Sequence, residues 1–206
     1  MGAEQAPPAE IVIVACSALL KEINALKKLN GWSHVSVDAI TAELHNRPDL
    51  ITDAVSDSIN RAKARGAEVF VAYGDCGTGG MLDRLLAEED VDRIPGAHCY
   101  QFFAGDEAFN AMHEEELGTF YLTDFLARHF DRLVIRGLGL DKKPALKPMF
   151  FGHYTKLVYL AQTEDQELQQ AAQVAAEELG LSYEYRFTGI GDMATSIVRF
   201  VDAAHR

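Results

Sequence analysis

Ile11-Val12-Ile13-Val14-Ala15 is a continuous apolar run rich in β-branched residues, the pattern of a strand buried on both faces. Val69-Phe70-Val71-Ala72-Tyr73 repeats it. Each run ends in small and polar residues that open a helical pattern. After Cys16, Ser17 is a good N-cap, and Leu19, Leu20, Ile23, Leu26 and Leu29 fall at helical spacing, predicting a helix over 18–29. After Tyr73 comes Gly74-Asp75-Cys76-Gly77-Thr78-Gly79-Gly80, then a predicted helix over 81–89. Between the two runs, residues 33–40 alternate like a strand nearer an edge, and 48–65 read as a helix with Pro48 in its first turn.

Further strands are predicted at 119–122, 156–161 and 183–188. Helices are predicted near 101–103 and at 123–130, 165–179 and 192–203. Strands alternating with helices mean βαβ units, so the expected fold class is α/β, a mostly parallel sheet flanked by helices. No repeat or long linker divides the chain. The expectation is a short disordered leader over 1–9 and one α/β domain over 10–206, with room for two lobes.

Charge narrows the partners. A formal net charge of −12 over 206 residues argues against nucleic acid and anionic membrane surfaces, which need a basic face. No apolar stretch approaches a membrane span, and MGAEQAPPAE lacks the basic and apolar regions of a secretory signal. A cytoplasmic location is expected, where three cysteines stay reduced. An odd number of thiols there points to thiol or metal chemistry, or to inert core packing, rather than a disulfide frame.

Cys16 and Cys76 each follow a buried run directly, at the strand end where open α/β sheets bind ligands. Cys99 follows the Pro95-Gly96 turn. Three thiolates could hold a [4Fe–4S] cluster with one iron open, or zinc with a fourth ligand from His98, His45 or water. No CxxC pair is present, so a preassembled site on a folded scaffold fits better than a zinc knuckle. The glycine-rich loop offers backbone amides of Gly77, Thr78, Gly79 and Gly80 to a cofactor or anion, although it matches neither the dinucleotide nor the P-loop pattern. Asp75 can act as a base or close the turn. His45, His98 and Asp75 are the catalytic candidates. Glu22 and the histidines at 34, 113, 129 and 205 read as solvated surface, and His153 as either packing or a pocket wall.

Five ordered motifs carry a resemblance. They are Ile13-Val14-Ala15-Cys16, Leu44-His45-Asn46-Arg47-Pro48, Tyr73 to Gly80, Pro95-Gly96-Ala97-His98-Cys99-Tyr100 and Gly118 to Thr123. Together they resemble the DUF1638 family over nearly the whole chain after the leader. The resemblance implies cysteines at the positions of Cys16, Cys76 and Cys99. It also implies a setting among genes of corrinoid-dependent methyl transfer from methylated amines and betaines, hence a role in one-carbon metabolism. The family often has Asp before the third cysteine where this chain has His98, so His98 is not a shared fourth ligand. Three readings are open: a metalloprotein, iron–sulfur or zinc, acting on a small molecule; a non-enzymatic accessory protein for a corrinoid, a folate or a methyltransferase partner; or a thiol enzyme with Cys76 as nucleophile.

Overall fold

The two buried runs become neighbouring strands. In a computed structural model, which describes residues 10–204, β1 (Ile11–Cys16) lies parallel to both β2 (Val35–Ile40) and β3 (Glu68–Ala72). A two-residue β4 (Asp92–Arg93) extends the sheet, giving the order β2-β1-β3-β4. All six β1 residues are buried, as the continuous apolar run requires. Each buried Ile or Val there stabilises the fold by roughly 1.5–3 kcal/mol. The helices of this sheet are α1 (Leu20–Asn30), α2 (Ile51–Lys63) and α3 (Met81–Glu89), with α2 packed on α3.

A second parallel sheet, in the order β5-β6-β7, comprises β5 (Thr119–Leu122), β6 (Lys156–Ala161) and β7 (Ser182–Phe187). Its helices are α4 (Cys99–Ala104), α5 (Asp106–Glu115), α6 (Asp124–Arg128), α7 (Lys147–Phe151) and α8 (Gln166–Leu179). The chain forms two compact units. One runs through Pro95 and resumes at Ala194; the other is Gly96–Met193. The last helix, α9 (Gly191–Ala204), starts in the second unit and belongs mostly to the first, where Phe200 stacks on Phe70 at 4.6 Å. The α/β class with parallel sheets flanked by helices is the fold observed. No helix among the described residues is long and apolar enough to cross a membrane. The expected leader at 1–9 and His205 lie outside the described residues.

Several details correct the sequence reading. The chain leaves β1 through a tight 3-10 turn, Ser17–Leu19, before α1 begins. Its cap is the Cys16 sulfur, which accepts the Ala18 N–H at 3.4 Å, while the Ser17 hydroxyl accepts from the Ala42 N–H at 2.9 Å. Leu19, Ile23 and Leu26 keep the expected inward stripe, but Glu22 takes its i+3 place and is only 6% exposed, while Leu29, in the last turn before Gly31, is 82% exposed. Gly31, in the left-handed region at φ +65°, ends α1. His129 is half-buried, edge-on to Phe125, and burial, with Arg132 and Arg128, holds its pKa below the usual histidine range.

Candidate functional site

The order β2-β1-β3-β4 contains a reversal. From β1 the chain crosses to β2 on one side; from β3 it crosses to β4 on the other. Two neighbouring parallel strands whose loops diverge leave a crevice at their carboxyl ends, where open α/β sheets bind ligands. β1 and β3 are that pair, with Ala15 opposite Ala72. Cys16 is the last residue of β1, and Cys76 lies four residues beyond the end of β3.

Three loops meet there. The loop after β2 is tied to the loop after β1 through Ser17 and Ala42. Its His45 ring stacks on Tyr73 at 5.7 Å and 19°. Pro48 lies against Gly77, where an added Cβ would stand 3.5 Å from the proline ring. The Tyr73 side chain acts on the Cys16 thiol, favouring its thiolate. Residues from β1, β2 and β3 thus share one edge of the first unit.

The two thiols differ. Cys16 is 4% exposed, and burial pushes its pKa up to about 11, against the Ala18 N–H and the Tyr73 side chain, which favour the thiolate. Cys76 is half-buried and sits in the left-handed region at φ +48°; among the described residues Asp90 is the other non-glycine there. A non-glycine residue held in that region stores about 1–3 kcal/mol of strain. The His45 ring is fixed as well: Nδ1 lies 3.0 Å from the Ala42 carbonyl. A carbonyl only accepts, so Nδ1 carries the proton and the neutral ring keeps its lone pair on Nε2.

Asp75 accounts for the glycine-rich loop. Its Oδ1 accepts from the Thr78 hydroxyl at 2.6 Å and the Gly80 N–H at 2.8 Å; its Oδ2 accepts from the Gly79 N–H at 3.2 Å. The Thr78 hydroxyl in turn accepts the Leu82 N–H at 3.4 Å. Partial burial raises the Asp75 pKa, but these bonds and one from Gly77 outweigh it and hold the carboxyl below the ordinary range. Of the amides expected to face a cofactor or anion, those of Gly79 and Gly80 donate to the Asp75 carboxylate and that of Thr78 to the Asp75 carbonyl at 2.9 Å. Gly79 and Gly80, at φ +62° and +78°, serve the turn itself, because Gly79 has open space where a Cβ would go.

Cys99 and His98 belong to the second unit. Cys99 is the half-buried first residue of α4, and His98 is the exposed residue before it, tilted against Tyr100 at 6.1 Å. Among the described residues, neither unit gathers three His, Cys, Asp or Glu side chains fit to hold a metal ion.

Sequence reasoning missed a buried carboxylate in the second unit. Asp124 accepts from the Tyr159 hydroxyl at 2.7 Å, the Gln162 N–H at 2.9 Å and the Thr163 hydroxyl at 2.5 Å, while its own N–H donates to Gln162 Oε1 at 2.8 Å. Burial and this bond raise the Tyr159 pKa. In sequence, Asp124 looks like an ordinary first-turn acid after the N-cap Thr123. Nothing near it signals partners 35 to 39 residues away.

No curated protein matches the chain. Among solved structures, ornithine carbamoyltransferase from Pyrococcus furiosus aligns at 14% identity and a TM-score of 0.28. That alignment covers 87% of this chain but 55% of the transferase, and a likeness so loose carries nothing about fold or activity. The family described as "Protein of unknown function (DUF1638)" matches over residues 39–197. That span takes in His45, the Asp75–Gly80 loop and both Cys76 and Cys99, and the chain belongs to the DUF1638 family.

Proposed function

We propose that the carboxyl edge of the first sheet holds a thiolate-bound metal centre, a [4Fe–4S] cluster in first place and zinc in second. The observation that supports it is the position of Cys16 and Cys76 on either side of the strand-order reversal. The donor chemistry fits, since soft thiolates and an imidazole with its lone pair on Nε2 suit iron–sulfur clusters and zinc. Among the described residues of the first unit the donor count stops short of three, so the pair needs a further ligand. We give that role to Cys99, as the resemblance to the family implies. Loading requires Cys16 to release the proton that burial retains, so metal uptake strengthens as pH rises. With a small-molecule substrate, or a corrinoid or methyltransferase protein as partner, such a centre would serve one-carbon metabolism in the cytoplasm.

The test is anaerobic purification with iron, sulfide and zinc analysis and an absorption spectrum. The expected result is bound metal in the wild type and loss of most of it in each of Cys16→Ser, Cys76→Ser and Cys99→Ser, with circular dichroism unchanged. Equal metal content in all four proteins after cluster reconstitution overturns the reading. A second reading has one observation in its favour: Cys76, strained and half-exposed, is placed like a nucleophile, whereas Cys16 is not. Metal-free protein in which Cys76 alone reacts with iodoacetamide at neutral pH would support that alternative.

A further inference from the structure

On one face of the second sheet, Tyr121, Val158 and Glu184 form a row across the three strands, and Leu160 and Arg186 form the next. Phe109 and Met112 of α5 cover this face, packing on Tyr121, Val158 and Leu160. Toward the carboxyl end the cover stops and a cavity of about 380 Å³ opens, lined by Phe103, Ala108, Met112 and Leu160 and by the charged residues Arg186 and Asp192. That volume is at the small end of ligand clefts. Gly105, at φ +80°, builds part of its wall, and a Cβ there would stand 3.3 Å from Asp192 Oδ2.

The cavity is polarised. Arg186 brings a guanidinium to the cavity wall, its Nε donating to Glu184 Oε1, while Lys156 Nζ lies 3.1 Å from Glu184 Oε2 and is also attracted by Glu115 and Glu116. Asp192, in the first turn of α9, lines the same cavity and also an adjoining cleft with Asp106 and Glu107. Between the charges the floor is apolar. We infer that this cavity binds a small α-amino acid with an apolar side chain. Its carboxylate would meet Arg186, its ammonium Asp192, and its side chain Phe103, Met112 and Leu160. This assignment is independent of any metal in the first unit.

Calorimetric titration of the full chain with L-leucine, L-methionine and L-valine tests it, using 4-methylpentanoate and 3-methylbutylamine as single-charge analogues of leucine. At least one amino acid should bind saturably, and the two analogues should bind about tenfold more weakly or worse, as loss of a charge-assisted contact predicts. Arg186→Gln and Asp192→Asn should each weaken binding about tenfold, with circular dichroism confirming the fold. Ala108→Trp, which fills the cavity without removing a charge, should abolish binding. No saturable binding of the three amino acids up to about 10 mM overturns the inference. So does equal binding by an analogue, or binding unchanged in the folded variants.

Discussion

The two sheets finish differently at their carboxyl edges. In the first, strand order reverses between β1 and β3, and the edge carries thiols, a stacked histidine and a strained backbone. In the second, the order β5-β6-β7 runs one way, and the loops after β5 and β6 are pinned together by Asp124. Both edges place polar side chains where ligands bind, yet in Asp124 both carboxylate oxygens have donors from its own unit. A buried polar group with every bond satisfied holds a fold together. Backbone strain such as that at Cys76 persists only where the surrounding structure holds it in place.

The sharpest way to break this contrast is Asp124→Ala. It leaves the buried Tyr159 hydroxyl and Gln162 N–H without their acceptor, and should lower unfolding stability in urea by about 3 kcal/mol or more. A loss under about 1 kcal/mol would show that the second edge does not depend on its carboxylate.

Next in size is the alkaline response of Cys16. Folding keeps a proton on this thiol that the unfolded chain releases near its ordinary value of 9.0, and the folded pKa is about 11. Between those values the folded state binds more protons, so stability falls as pH rises and is complete below about 9. The total is about 2–3 kcal/mol by the conversion for two pKa units. Measured as the difference between wild type and Cys16→Ala in metal-free protein, the unfolding free energies should converge with rising pH over that window. A flat difference would mean that Cys16 ionises as easily folded as unfolded.

Asp75→Ala should have the smallest effect, about 1–2 kcal/mol, the order expected when a partly exposed carboxylate that caps the turn before α3 loses its hydrogen bonds. Because the folded pKa lies below the unfolded one, the Asp75 contribution is present above about pH 4 and disappears as acid protonates the carboxylate below it. Amide exchange at Gly79 and Gly80 should quicken in the variant, and an unchanged rate would show that the loop holds its shape without the cap.

How legible each element was in the sequence depends on how local its cause is. Strands 119–122 and 156–161 were readable because burial on both faces leaves continuous apolar runs. The place of both thiols at one sheet edge was readable because each comes directly after such a run. α5 was not, because only Phe109 and Met112 anchor an otherwise charged segment. The face of α1 was misread at Glu22 and Leu29 because residue type outweighed position: a glutamate stands at an inward i+3 place and a leucine in the exposed last turn. The Asp124 network was invisible because its partners come from another strand and loop.

The Asp75 carboxylate also settles how the glycine-rich loop competes for anions. A soluble phosphate seeking the amides before α3 must displace a carboxylate attached to the same short loop. The effective concentration of a tethered group is set by the chain rather than by the solution, and a short tether keeps it high. The loop is in this sense its own ligand. An anion at these amides competes with that carboxylate, and Asp75 holds the turn through Thr78, Gly79 and Gly80.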